Sequence, residues 1–166
     1  SKVALRWRPA VDQRALKPEE HAAASALFSS GIFLLGELLS RQSCEELQNY
    51  FGNLEVYDPY RSGTPHFLPD STNRHPDAHI AHHLPEDVLR APSLVALAND
   101  PRIINIVSEF LGCKPTIGYL AAWWSYHTPK GAQQAEFFHR DVDDWKFVKL
   151  FVYLTDVEAY SGPHVY

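Results

Sequence analysis

The stretch FVKLFVYLTDV, at residues 147–157, alternates bulky side chains in the pattern of a β-strand. Two similar stretches precede it: TIGYLAAWWSY at residues 116–126 and EFFHRD at residues 136–141. Short turns separate the three stretches and leave no room for helices between them. Residues 113–166 are therefore predicted to form the first strands of an antiparallel sheet.

The two faces of the strand at residues 147–157 differ in chemistry. One face is aliphatic and is expected to pack on the N-terminal helices; it carries Val148, Leu150, Val152 and Leu154. The other face carries Phe147, Lys149, Phe151 and Tyr153. A lysine that points into an apolar cavity is costly unless an anion meets it. The alternative is that Lys149 reaches the solvent or pairs with a carboxylate, and the candidates are Asp143, Asp144 and Glu158.

The sequence before residue 113 is typical of helices and loops. An Ala-rich helix is predicted from Pro18 to about residue 28. The pattern Ser43-x-x-Glu46 is a capping box and predicts a second helix, for which Gly52 is the stop signal.

Two further helices are predicted, one at residues 92–97 and one that runs from the cap Asp100 to Gly112. Residues 31–39 are short and apolar, which fits either a strand or a buried turn of helix. Residues 53–85 are rich in Pro, His, Asp and Ser, and are predicted to form a long loop. The chain is thus of the α+β class, with a helical N-terminal half packed on a sheet.

Composition bounds the class of protein. The chain has 166 residues, of which 45% are hydrophobic, enough for the core of one domain. Its 15 Lys+Arg and 20 Asp+Glu give a net charge of −5, which argues against a nucleic-acid partner. Two cysteines, Cys44 and Cys113, are too few for a disulfide scaffold and indicate a reducing compartment. No signal-peptide pattern or membrane-length apolar run is visible, so we expect a cytoplasmic protein without a membrane partner.

We expect residues 1–166 to be a single domain, and an incomplete one. The sequence contains no Met, and it stops at Tyr166 directly after a strand-like run. Residues 1–112 would form the mainly helical and loop part of this domain. Residues 113–166 would then be only the first strands of its sheet.

The motif His139-Arg140-Asp141 carries the candidate chemistry. On a strand, residues two apart point to the same side, so His139 and Asp141 would project together. An imidazole and a carboxylate side by side supply two of the three ligands of a facial triad, which leaves positions open on Fe(II). Taken alone, the tripeptide is more often an ion pair at a strand end or a solvated pair.

The order of motifs around this tripeptide resembles the phytanoyl-CoA dioxygenase family. The strand-like WWSY at residues 123–126 precedes it, and residues 147–157 and SGPHVY at residues 161–166 follow it. The helical half is similar as well, up to LGCKP at residues 111–115, although it matches more loosely than the part from residue 112 onward. Proteins of that family are Fe(II)- and 2-oxoglutarate-dependent oxygenases. The resemblance therefore implies a double-stranded β-helix, the jelly-roll or cupin-like fold.

The resemblance also implies roles for particular residues. It implies that His139 and Asp141 bind the iron, and that Lys149 could meet a carboxylate of 2-oxoglutarate. It places Trp124 and Phe151 along the co-substrate, for which packing in the core is the alternative interpretation. The second iron histidine and the arginine that holds 2-oxoglutarate are expected beyond residue 166, since the one histidine after the Gly-Pro turn lies too close to that turn to match.

The activity implied in this way is hydroxylation of a small-molecule substrate, with consumption of O₂ and release of succinate and CO₂. The carboxylate of Asp141 favours hydroxylation, because related halogenases carry a small residue at that position. A non-catalytic jelly-roll protein that binds a metal or another ligand remains the alternative.

A rival metal site lies in the histidine-rich loop. A helix there would stack His75, His79 and His83 on one face, next to His82. Prolines at positions 76 and 85 and the lack of an apolar stripe favour a loop or lid instead. If the metal site were in this loop, the protein would be an interaction module, and metal binding would survive loss of Asp141.

Overall fold

Five α-helices and three short β-strands form the regular structure of the residues that this computed structural model describes, namely 16–128, 130–133 and 136–165. In chain order they are α1 (Pro18–Ser30), α2 (Arg41–Gly52), β1 (Val56–Tyr57), β2 (Ile80–His83), α3 (Pro85–Arg90), α4 (Leu94–Ala98), α5 (Pro101–Leu111) and β3 (Trp123–Ser125). The predicted mixture of helices and an antiparallel sheet is confirmed at this level. Among the described residues, no helix is both long and apolar enough to cross a membrane.

Helices α1 and α5 pack against each other, and their ends follow the predicted signals closely. The carboxylate of Asp100 accepts hydrogen bonds from the backbone N–H groups of Arg102 and Ile103, and Gly112 ends α5 with a φ of 76°. Helix α1 extends two residues beyond the predicted end. Its buried Glu20 accepts a hydrogen bond from Asn105 of α5, which joins the two helices.

Helix α2 begins earlier than predicted. Ser40, not Ser43, is its cap, because the Ser40 hydroxyl accepts the Ser43 backbone N–H at 3.1 Å. Ser43 therefore lies in the first turn. Both serines fit a cap by residue type, and only the path of the preceding chain selects between them.

Helices α3 and α4 differ from the sequence prediction. Helix α3 was not predicted. It starts at Pro85 and has Glu86 and Asp87 in its first turn, which are residue types that favour a helix start, but they follow directly on the predicted loop. Helix α4 begins at Leu94, two residues after the predicted start at Pro92. The apolar residues 31–39 form neither a strand nor a buried helical turn, and Leu34 in this stretch is 85% exposed.

The sheet has the strand order β1-β2-β3, with both pairings antiparallel. Strand β2 is central, with His82 opposite Tyr57 on one side and Trp123 on the other. Ala81 is opposite Trp124 and therefore belongs to the other face. Strands β1 and β2 lie within residues 53–85, so the prediction of a continuous loop there was wrong.

The inner face of the sheet packs on helices α2 and α3. The buried side chains of this cluster are Leu47, Phe51, Val88 and Ala91. Trp124 and Leu154 pack against them. Helices α2 and α3 thus pack on the sheet, and Leu154 of the predicted aliphatic face contacts the same cluster.

The strands predicted at residues 136–141 and 147–157 carry no strand pairing in the described part of the chain. The predicted strand at residues 116–126 is likewise reduced to the three residues of β3. A pattern of alternation becomes a strand only where a neighbouring segment takes up the backbone hydrogen bonds. Among the described residues of these stretches, residues 122–126 have such a neighbour, since the backbone of Ala122 bonds to His83 and that of Tyr126 to His79 at the two ends of β3.

His83 makes the stability of this fold depend on pH. Its imidazole is buried on the inner face, where Nε2 accepts the indole N–H of Trp124 at 3.0 Å and Nδ1 has no partner among the described residues. Burial, assisted by His82 and opposed by the charge of Asp87, lowers the pKa of His83 to about 4.

We therefore expect acid to destabilise the protein as the pH falls from 6.5 to 4, because only the unfolded state takes up the proton of His83 in that window. The free energy of unfolding should decrease by up to about 3 kcal/mol. Urea titrations at several pH values would measure this decrease. In His83→Gln, the amide oxygen can still accept the Trp124 N–H, but this part of the pH dependence should disappear. If the free energy of unfolding fell equally with pH in the variant and in the unmodified protein, the pH dependence would not come from His83.

Candidate metal-binding site

The structure brings the side chains of His139 and Asp141 together. His139 Nε2 lies 3.4 Å from Asp141 Oδ1, and the two side chains are 47% and 37% exposed. The pairing predicted from the spacing is therefore present, although the segment is not part of a paired strand. Both groups are open to solvent on one side, so an ion can reach them.

A second contact of His139 decides which of its nitrogens can bind an ion. Nδ1 lies 2.7 Å from the carbonyl oxygen of Phe137, an arrangement in which the ring nitrogen donates its proton to the carbonyl. In the neutral ring, Nε2 then carries the lone pair and points toward Asp141. A lone pair and a carboxylate oxygen repel each other unless a proton or a cation lies between them.

Asp141 divides its two oxygens between His139 and Lys149. Oδ1 faces His139, whereas Oδ2 accepts from Lys149 Nζ at 2.9 Å. Lys149 also binds Asp143 Oδ2 at 2.8 Å. The hydrogen bond from Lys149 lowers the pKa of Asp141, with smaller contributions from the charges of Lys149 and His139, so this carboxylate stays ionised in neutral solution.

Lys149 thus pairs with Asp143, one of the three carboxylates that the sequence offered as the alternative to an anion in a cavity, and with Asp141, which was not among them. The hydrogen bonds that Lys149 donates to Asp143 and Asp141 raise the pKa of its ammonium group, with the bond to Asp143 the larger cause. Two carboxylates already surround this cation. Its position is suited to orienting Asp141, in the way that outer groups orient metal ligands.

The donor set fits a divalent transition metal. An imidazole nitrogen with a free lone pair and an ionised carboxylate oxygen are ligands that Fe(II) accepts. Metal-bound histidines commonly donate their other N–H to a backbone carbonyl, as His139 does to Phe137. Adjacent ligands of such a metal lie about 3 Å apart, given bonds of about 2.1 Å, and the observed 3.4 Å is close to this separation. No third His, Cys, Asp or Glu joins the pair in the part of the chain that the structure describes.

The two predicted co-substrate residues lie in different surroundings. Trp124 packs against both buried clusters and bonds to His83, which agrees with the alternative interpretation of core packing. Phe151 is 44% exposed and meets the ring of Trp123 edge-on, at 6.2 Å between centroids. The ring of His164 also contacts Phe151, tilted by 42° and with 4.1 Å between the ring centroids. The aromatic face that Phe151 belongs to thus continues into Trp123, not Trp124.

Two polar links that the sequence did not predict hold the segment before His139 against the start of β2. The buried His79 binds the carboxylate of Glu136 through Nδ1 at 2.9 Å and the hydroxyl of Thr128 through Nε2 at 2.6 Å. Lys130 pairs with Asp77 at 2.6 Å. Residues 57 positions apart, such as His79 and Glu136, carry no local signal of their pairing.

The rival histidine site does not form among the described residues. Residues 80–83 are strand β2, in which His82 and His83 point to opposite faces. His79 is engaged by Thr128 and Glu136, and His75 Nδ1 accepts the backbone N–H of Asp77. The prediction of an irregular loop is correct only for the turns before β2, and the role of a lid stays a prediction.

Comparisons with protein-family models, with curated proteins and with solved structures found no match for this chain.

Proposed function

We propose that this protein is a non-haem Fe(II)- and 2-oxoglutarate-dependent dioxygenase that hydroxylates a small-molecule substrate. The observation that carries the proposal is the pair His139–Asp141, in which two metal-ligand atoms face each other at 3.4 Å and His139 is oriented by a backbone carbonyl. The order of motifs around this pair, which resembles the phytanoyl-CoA dioxygenase family, also supports the proposal. The proposal includes the double-stranded β-helix of that family, of which the observed three-stranded sheet would be one part.

In this proposal, two residues bind the metal and two others orient these ligands. His139 Nε2 and Asp141 Oδ1 hold the iron, while the carbonyl of Phe137 fixes the imidazole and Lys149 fixes the second carboxylate oxygen. Bound Fe(II) supplies the redox chemistry that couples decarboxylation of 2-oxoglutarate by O₂ to hydroxylation of a C–H bond. In the family that the motif order resembles, a second histidine completes the metal site; among the described residues no third His, Cys, Asp or Glu joins the pair.

The co-substrate contacts remain predictions within this proposal. Phe151 is exposed and lies two residues from Lys149, so it is available to a ligand at the metal. Trp124 would contribute mainly by supporting the sheet, since its indole is engaged in the core. Lys149 would reach a carboxylate of 2-oxoglutarate only by giving up one of its two ion pairs.

The test is aerobic conversion of 2-oxoglutarate by the full-length protein, with succinate as the measured product. We expect succinate to form when Fe(II) is added, and to be absent with Zn(II) or with a chelator, because only iron supports the redox step. Binding of Fe(II) without any succinate would instead indicate the alternative, a non-catalytic metal-binding protein of the same fold. Absence of both binding and succinate would refute the proposal.

A further inference from the structure

A second site lies in the turns that precede strand β2. Residues 58–76 fold around a cavity of about 460 Å³, a size that accommodates a small organic molecule. The lining residues with polar or aromatic side chains are Asp58, Thr64, His66, Phe67, Asn73, Arg74 and His75. Neither His139 nor Asp141 lines this cavity, so it is distinct from the candidate metal site.

Arg74 brings a positive charge to the cavity wall. Its guanidinium lies 4.3 Å above the ring of Tyr126, and Nη1 donates to the carbonyl of Ala78 at 3.1 Å. These contacts hold the side chain in place without neutralising it. No carboxylate of the described residues lies within 4.0 Å of it. Since a guanidinium has five N–H donors, several remain available to a ligand.

The nearby carboxylates are already compensated. Asp58, which also lines the cavity, accepts from Arg61 at 2.5 Å and from the backbone N–H of Tyr60 at 2.9 Å. Asp77, which follows the cavity segment, is paired with Lys130 at 2.6 Å. The charge of Arg74 therefore has no counterpart in the cavity wall.

His75 adds a second donor on the same wall. Its Nδ1 accepts the backbone N–H of Asp77 at 3.1 Å, so the proton of the neutral ring is on Nε2. A guanidinium and an imidazole N–H that line the same cavity are donors of the kind that recognises a carboxylate or phosphate group.

The remaining wall is apolar or aromatic. Phe67 is 8% exposed, and Pro65 and Pro76 lie beside it. His66 stacks on the ring of Tyr57, with 5.8 Å between centroids. A ligand that places an anionic group at Arg74 would find space for an apolar or flat body along this wall.

We propose that this cavity binds a small organic anion, with its carboxylate or phosphate group held by Arg74 and His75 and its apolar part against Phe67. The site is separate from the proposed oxygenase chemistry and does not depend on it. Because both anionic groups accept the same donors, the experiment distinguishes them.

The experiment is calorimetric titration of the metal-free full-length protein with benzoate and, separately, with phenyl phosphate. Benzamide serves as the neutral analogue. We expect binding of at least one anion, and at least about 10-fold weaker binding of benzamide, because a charge-assisted hydrogen bond is lost. Binding of benzoate alone would assign the site to carboxylates, and binding of phenyl phosphate alone to phosphate esters.

Variants test whether the binding occurs in this cavity. Arg74→Gln should weaken anion binding by about 10-fold or more, and His75→Asn should weaken it less while its side-chain oxygen can still accept the Asp77 N–H. Arg102→Gln is the control, an exposed arginine on α5 outside the cavity, and should bind as the unmodified protein does. If Arg74→Gln fails to fold, the His75 variant decides. Equal affinity in all variants, equal binding of benzamide, or no anion binding at millimolar concentration would overturn the proposal.

Discussion

Replacing Asp141 with alanine should abolish Fe(II)-dependent formation of succinate by the full-length protein. The substitution removes one of the two ligand atoms that face each other at 3.4 Å, and it leaves His139 alone on this side of the metal. Loss of an outer-shell group already costs about 10–100-fold in metal affinity or activity, so loss of a ligand should cost more than about 100-fold. The measurements are the rate of succinate formation and the affinity for Fe(II) under anaerobic conditions.

Asp143→Ala is the matched control for this prediction. It removes the same charge and also frees Lys149 from one partner, but it leaves the contact between His139 and Asp141 intact. We expect most of the activity to persist in this variant. If Asp141→Ala turned over as fast as Asp143→Ala, the pair would be a surface ion pair and the proposed enzyme would be wrong. Metal binding that survives loss of Asp141 would point instead to a metal site elsewhere.

Replacing Trp124 with alanine should be the most destabilising change in the sheet. Its indole packs against both buried clusters, and its N–H is the hydrogen-bond partner of the His83 ring. Truncation of a core tryptophan typically costs about 3–5 kcal/mol, and the buried His83 would also lose its one partner among the described residues. The free energy of unfolding in urea, measured at neutral pH, checks this prediction.

Substitutions of Trp124 also distinguish its two possible roles, packing in the core and contact with the co-substrate. Trp124→Phe should retain much of the packing and lose the hydrogen bond to His83, so its free energy of unfolding should fall between those of the alanine variant and the unmodified protein. If Trp124 served chiefly to line the co-substrate, both variants would keep their stability and raise the KM for 2-oxoglutarate. Phe151→Ala is the comparison, since this exposed ring should affect the KM more than the stability.

Local signals predicted the features that depend on neighbours in the sequence. The cap Asp100 and the terminating Gly112 define α5 because both act through backbone groups within a few residues. The approach of His139 to Asp141 was predicted from their spacing on a strand, and it is present although that strand does not form. In contrast, strands β1 and β2 carry weak patterns of only two and four residues, which nothing local distinguishes from a loop.

Long-range contacts account for the parts that the sequence did not predict. Three such features depend on segments that are far apart in the chain. His79 pairs with Glu136 and Thr128. Trp124, and not its neighbour Trp123, packs against the core, and Arg74 lies over the ring of Tyr126 without a carboxylate partner among the described residues. The residue type shows that a buried polar or charged side chain needs a hydrogen-bond partner. The sequence, however, contains many residues that could serve as this partner, and only the folded chain selects one of them.

The amino-acid sequence alone determined the two ends of α5, the mixed class of the fold and the close approach of His139 and Asp141. Their causes are short-range, since capping and side-chain spacing act over a few residues. The tertiary structure alone decided which tryptophan enters the core, which carboxylates surround Lys149, and that the histidine-rich segment contributes a central strand instead of a metal-binding helix. Those outcomes follow from competition among distant partners for burial and hydrogen bonds, and that competition is resolved only when the chain packs.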